Sequence, residues 1–135
     1  MSATMQATTL SVSIARDWRE LYEAIWRPEV FSTWASGLAK STLEAEGDHW
    51  RARGPEGDVL IRFTAHNAFG VMDHRVTLPD GHEIIMPLRV IQNGAGAEVL
   101  LTLFQQPGMS DEQFAADADW VRRDLATLAA RHGAA

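Results

Sequence analysis

In the last quarter of the chain Phe114, Ala118, Val121, Leu125 and Leu128 recur at three- and four-residue intervals among polar positions. That spacing predicts one long amphipathic helix. Ser110 with Gln113 forms a capping-box pattern, Asp111 and Glu112 suit the positive end of the helix dipole, and Gly133 marks the end, which places the helix over Ser110–His132. Such a helix is about 33 Å long. Upstream the apolar period shortens to two, and turn signals divide the chain at Gly47 and Asp48, at Gly54 to Gly57, at Asp80 and Gly81, and at Asn93 to Gly96. The runs between them predict strands over Leu38–Glu46, His49–Arg53, Asp58–His66, Phe69–Leu78, His82–Gln92 and Ala97–Gln105. The join around Asn67 carries no strong turn signal.

Alternation assigns the faces. Val59, Ile61, Phe63 and Ala65 share one side of their strand, and Ile84, Met86, Leu88 and Val90 share one side of theirs. Pro87 lies inside that second run and donates no ladder hydrogen bond, so it implies an edge, a bulge or a kink. Near the N-terminus, Ala7–Ile14 alternates Thr or Ser with apolar residues and reads as an edge strand. Trp18, Leu21, Tyr22 and Ile25 then fall at helical spacing behind Asp17, a suitable cap. Pro28 ends that helix and opens a short second one to Ala35, which presents Phe31 and Trp34 and is closed by Gly37. Hairpin-length joins make the strands antiparallel neighbours, and the long helix covers their apolar face. The expected class is α+β, with six or seven strands in one curved antiparallel sheet.

Composition narrows the function classes. A length of 135 residues predicts a single domain with its own core. A net charge of −6 argues against a nucleic-acid partner, because phosphate binding requires clustered Lys and Arg. The absence of Cys removes thiol catalysis, disulfides and thiolate metal sites. No apolar stretch reaches the roughly 18 residues of a membrane span, and the first residues lack the basic and apolar regions of a signal peptide, so the expected location is the cytoplasm.

The order strand, two short helices, six strands, long helix resembles the helix-grip superfamily of START domains, polyketide aromatases and cyclases, and the birch pollen allergen. Three stretches look like a bacterial branch described as polyketide cyclase-like or SRPBCC: Trp34–Leu38, Phe69–Gly81, and Pro107–Phe114 leading into the final helix. The resemblance implies a sheet curled around the long helix, with a cavity between them for a lipid, polyketide or other hydrophobic molecule. It implies no shared catalytic set.

Candidate chemistry is sparse. His74 lies on the apolar parity of its strand between Met72 and Val76, so it is either a cavity general acid or base, or a buried histidine satisfied by a backbone carbonyl. Asp73 and Arg75 have the opposite parity and read as outer-face charges in an ion pair of little energy. His66, His74 and His82 show no metal-ligand spacing, and no cofactor motif occurs, so neither metal nor cofactor is expected. Trp34, Trp50, Phe63, Phe69, Met72, Met86, Leu88, Val121 and Leu125 are the expected cavity lining, although a solid core would show the same pattern. Trp120 stands off the helix stripe and reads as a guard of the cavity mouth or an oligomer contact. Leu100, Thr102 and Phe104 make the outer parity of the last strand apolar, which leaves a homodimer open. Arg51, Arg53 and Arg62 read as a solvated face. Three functions follow: a hydrophobic-ligand binder, a polyketide cyclase, aromatase or dehydratase using His74, or an interaction domain like the heat-shock ATPase activators of this superfamily.

Overall fold

The structure, a computed structural model, describes residues 3–35, 43–54 and 57–133. Strand β1 (Ala7–Ile14) leads into helices α1 (Trp18–Ile25) and α2 (Pro28–Phe31). Strands β2 (Glu44–Glu46), β3 (His49–Gly54), β4 (Gly57–Phe63), β5 (His74–Thr77), β6 (Glu83–Met86), β7 (Leu88–Asn93) and β8 (Gly96–Phe104) follow, and α3 (Asp111–His132) closes the order. Among the described residues the expected single sheet is two antiparallel sheets, in the orders β1-β8-β7 and β2-β3-β4-β5-β6. Residues 36–42, which include part of the expected Leu38 strand and Gly37, lie outside the described residues.

The division of the sheet occurs at Pro87. The run expected as one strand over His82–Gln92 is cut there, so that β6 pairs with β5 and β7 pairs with β8. Pro87 has no N–H for a ladder, while its carbonyl accepts from the Thr102 N–H at 3.0 Å. The next donor, Leu88 N–H, leaves the ladder and bonds the Asp73 carboxylate at 2.9 Å. Arg89 grips the same carboxylate through Nε at 3.0 Å and Nη2 at 2.8 Å. Asp73 is thus more than one half of a surface ion pair, because it caps the corner between the sheets. The Arg89 hydrogen bonds, and then the Leu88 amide, hold its carboxyl below the ordinary Asp value despite partial burial.

A second departure lies between β4 and β5. The expected strands through His66 and from Phe69 stop short, and residues 64–73 form a loop organised by Asn67. Its side-chain oxygen accepts from Phe69 N–H at 2.9 Å and Val71 N–H at 3.2 Å, and its amide donates to the carbonyls of Ala65 and Val71. The Asn67 N–H donates to the Tyr22 hydroxyl at 3.0 Å, which ties the loop to α1. Gly70 crosses β7 so closely, at φ +71°, that a Cβ there would lie 2.2 Å from the Val90 carbonyl oxygen.

The solid core lies between the three-stranded sheet and the helices. Leu10, Ile14, Leu88, Val90, Val99, Leu101 and Leu103 face Leu21 and Ile25 of α1 and Val121, Leu125 and Leu128 of α3. Asp17 caps α1 by accepting from Arg19 N–H and Glu20 N–H, both at 3.1 Å. Ser110 caps α3 by accepting from Gln113 N–H at 3.1 Å, but the Gln113 side chain turns forward to Asp117, so only half of the expected capping box forms. Helix α2 is shorter than the expected Pro28–Ala35, since the N–H groups of both Trp34 and Ala35 turn back to the Phe31 carbonyl. Among the described residues no helix is long and apolar enough to cross a membrane.

Candidate functional site

The inward parity of the five-stranded sheet is only partly covered. Val76, Ile84 and Met86 point toward α3 yet remain half-buried, and they border a cavity of about 740 Å³. Its other apolar walls are Leu101, Leu103 and Phe104 of β8, Phe31 of α2, Trp34 and Ala35 of the following turn, and Val121 of α3. This volume is within the usual range of pockets that enclose a small organic molecule. Both sheets, α2 and α3 contribute, so the cavity is the space left where the sheets diverge beyond the Pro87 corner.

Among the described residues two buried polar groups border this cavity, His74 and Asp124 of α3, and His74 is the more deeply set. It is 3% exposed and lies between Phe63 of β4 and Met86 of β6 in strand register. Phe31 stands edge-on to the imidazole at 4.9 Å between centroids, and Phe63 tilts against it at 5.5 Å. Nδ1 lies 3.1 Å from the Met72 carbonyl oxygen. A carbonyl only accepts, so Nδ1 carries the proton and Nε2 carries a lone pair. Burial pushes the imidazole below its ordinary value, against smaller opposing effects of the Met72 bond and the Asp73 charge, and favours the neutral ring.

Trp34, 2% exposed, belongs to the same wall, and its buried Nε1–H has no acceptor among the described residues. Such an unmet donor costs about 1–3 kcal/mol. The mouth is more polar. Asp117 of α3 and Gln106 line it together with Arg53 of β3 and the half-exposed Trp120, over whose ring the Arg123 guanidinium lies at 5.4 Å.

A smaller hollow of about 430 Å³ lies beside Trp26, Pro28, Trp50 and Phe63, with Arg27, Glu29 and Asp48 at its edge. Phe63 borders this hollow, Phe31 and His74 border the larger cavity, and the three rings pack on one another at 4.9–5.5 Å. They form the partition between the two spaces.

The residues expected at the site therefore separate into groups. Trp34, His74, Met86 and Val121 border the large cavity, whereas Trp50 and Phe63 border the small hollow. Met72, Leu88 and Leu125 are buried in the solid core. Phe69 is 77% exposed and lines neither space, because the Asn67 loop turns it outward. Of the three arginines expected on one solvated face, Arg51 is held by Glu46 and Asp58, Arg62 lies 3.8 Å from Asp48, and Arg53 reaches the cavity mouth.

Asp117 and Asp124 were the legible signal that periodicity passed over. They stand four residues before and three after Val121, and so interrupt the apolar stripe on its own face. Phe104, assigned to the outer parity of β8, reaches the cavity from the strand's end. Among the described residues no three His, Asp or Glu side chains are grouped to hold a metal ion. His66 instead donates to Glu23 at 2.7 Å and packs on Trp26, while His82 donates to Gln106 at 3.0 Å.

Solved structures with this arrangement share little sequence with it. The Aha1 dimer from Colwellia psychrerythraea matches with a TM-score of 0.68 at 13% identity, over 96% of this chain and 97% of that one. The crystal structure of Ara h 8.0201 matches with a TM-score of 0.62 at 10% identity, over 94% of this chain and 97% of that one. DynU16, a protein of the dynemicin biosynthetic locus, matches with a TM-score of 0.69 at 17% identity over 92% of this chain. The chain has the helix-grip fold. It spans 46% of the DynU16 chain. No protein-family model matches, and no curated protein matches by sequence. At these identities the helix-grip likeness establishes the architecture alone.

Proposed function

We propose that this helix-grip protein binds a small hydrophobic molecule of lipid, polyketide or aromatic type in the large cavity. The observation that carries the reading is the cavity itself: about 740 Å³, walled by aromatic and aliphatic side chains, with a buried histidine lone pair in its wall. An apolar ligand there would cover Val76, Ile84 and Met86, which the fold leaves half-buried. Native mass spectrometry of freshly purified protein, followed by thermal shifts against a lipid and aromatic library, tests the reading. A compound at 100 times its Kd stabilises by about 2.7 kcal/mol. Val76→Trp should narrow the space and weaken the shift of the bulkier compounds. A library without hits, or shifts that Val76→Trp leaves unchanged for every compound, would sink the reading.

The same lone pair favours one second reading, proton transfer by His74 to and from an enolisable ligand. In D₂O, catalysis would carry deuterium into the bound compound, and His74→Ala would slow that exchange about 10²-fold or more. A binder shows no exchange in either protein.

A further inference from the structure

We infer that the cavity selects ligands that present a hydrogen-bond donor, most simply a phenolic or alcoholic hydroxyl, to Nε2 of His74. The inference rests on the binding reading above and specifies the chemistry at one point of that site.

The polarity of this anchor follows from its surroundings. Met72 can only accept, so its carbonyl commits the Nδ1 proton and leaves Nε2 as an acceptor. Among the described residues nothing donates to Nε2, although the ring is 3% exposed and borders the cavity. Rotation of the ring is opposed on two sides by Phe31 and Phe63, and would also break the Met72 bond. Nε2 is not among the buried unpartnered atoms of the described residues, so it is an acceptor that opens on the cavity, and in an apolar wall it favours a ligand that supplies a donor there over one that presents another lone pair.

An ether or ketone oxygen placed at Nε2 offers no proton. A carboxylate adds negative charge to the mismatch, in a cavity that Asp117 and Asp124 already border. Arg53, the cationic side chain among the described lining residues, lies at the exposed mouth and would draw an acid head outward, away from His74. Ligands of one shape should therefore sort by whether they can donate.

Four rigid probes of nearly one size separate the possibilities: naphthalene, 2-naphthol, 2-methoxynaphthalene and 2-naphthoate, with Kd measured by equilibrium dialysis. In the wild-type protein 2-naphthol should bind about fivefold to tenfold more tightly than naphthalene or its methyl ether, the range one net hydrogen bond supplies. In His74→Leu that advantage should vanish while naphthalene stays within about twofold, a retention that also reports an intact cavity. Naphthoate should be indifferent to the substitution. In the wild type the ¹⁵N resonance of His74 Nε2 should move with 2-naphthol and not with the ether, a readout that needs no variant to fold. Equal binding of naphthol and ether by the wild type, or a naphthol advantage that survives in His74→Leu, overturns this inference and leaves the binding reading intact. Failure of all four probes to bind overturns both.

Discussion

The two sheets of this molecule treat their inward faces differently. The apolar inward residues of β7 and β8 from Leu88 to Leu103 are buried, with only Leu101 and Leu103 also bordering the cavity, and Leu88, Val90 and Val99 have no exposed surface. On the five-stranded sheet Ala52, Ile61 and His74 reach burial, while Val59, Phe63, Val76, Ile84 and Met86 remain half-covered. One sheet spends its apolar face on stability and the other leaves part of it open. The comparison teaches that hydrophobic pattern marks which residues point inward but not whether anything meets them.

The largest expected effect breaks the solid side. Gly70→Ala forces a Cβ to 2.2 Å from the Val90 carbonyl at a positive φ, and should cost about 3 kcal/mol or more in urea unfolding. Next comes a matched pair across the corner. Leu88→Ala should cost about 2–5 kcal/mol, because it opens a void in the core. Met86→Ala, two residues away on the same parity, should cost roughly half of that or less, since its removed atoms already face open space, and should weaken ligand binding instead. Equal losses at the two positions would mean that the cavity is closed in solution.

Asp73→Ala tests the corner and should cost about 1–3 kcal/mol, largely by leaving the Leu88 N–H unmet. Asp73→Asn, which can still accept from that amide, should recover part of it. A loss no larger for Ala than for Asn would show that the backbone bond is immaterial.

The smallest effect is the pH dependence of His74. Its folded value lies below the unfolded one of about 6.5, so the unfolded chain takes up the proton first as pH falls. The stability conferred by the neutral ring is therefore complete above about pH 6.5 and declines as pH drops through the lower folded value. Asp73 also loses stability on acidification, in a lower range, because its folded carboxyl is depressed. Comparing wild type with His74→Leu by chemical denaturation between about pH 7 and 5 isolates the histidine, and the variant should show the flatter profile. A flatter wild-type curve would mean that protonated His74 finds a partner.

Much of the helix-grip layout could be read from residues alone. The stripe from Phe114 to Leu128 and the Ser110 cap announce α3, and alternation from Ala97 to Phe104 announces β8, because both elements bury one regular face. Within the loop over 64–73 only the join at Asn67 is legible, and residues 64–66 and 69–73 read as strand, because the loop's order comes from the Asn67 side chain bonding the backbone, which leaves no periodic trace. Phe69 was misplaced for the same reason. The candidate site was legible only in part: Met86 and Leu88 share parity and hydrophobicity, yet Pro87 assigns one to the cavity and the other to the core. His74 was found because a polar residue on an apolar parity is conspicuous. Asp117 and Asp124 carried the same mark, and a stripe searched only for apolar residues hid it.

Pro87 is also where two alternations are locked in phase. One extra residue just after it would turn Val90 toward solvent and bring the half-exposed Ile91 inward, reversing the whole of β7. An extra residue at the Gly47–Asp48 or Asn93–Gly96 turn would stay at a hairpin tip and disturb neither face. Growth in chain length is thus best borne at the tips of the hairpins, and a variant with a roomier cavity must change side chains around Val76, Ile84 and Met86 rather than add residues between Met86 and Val90.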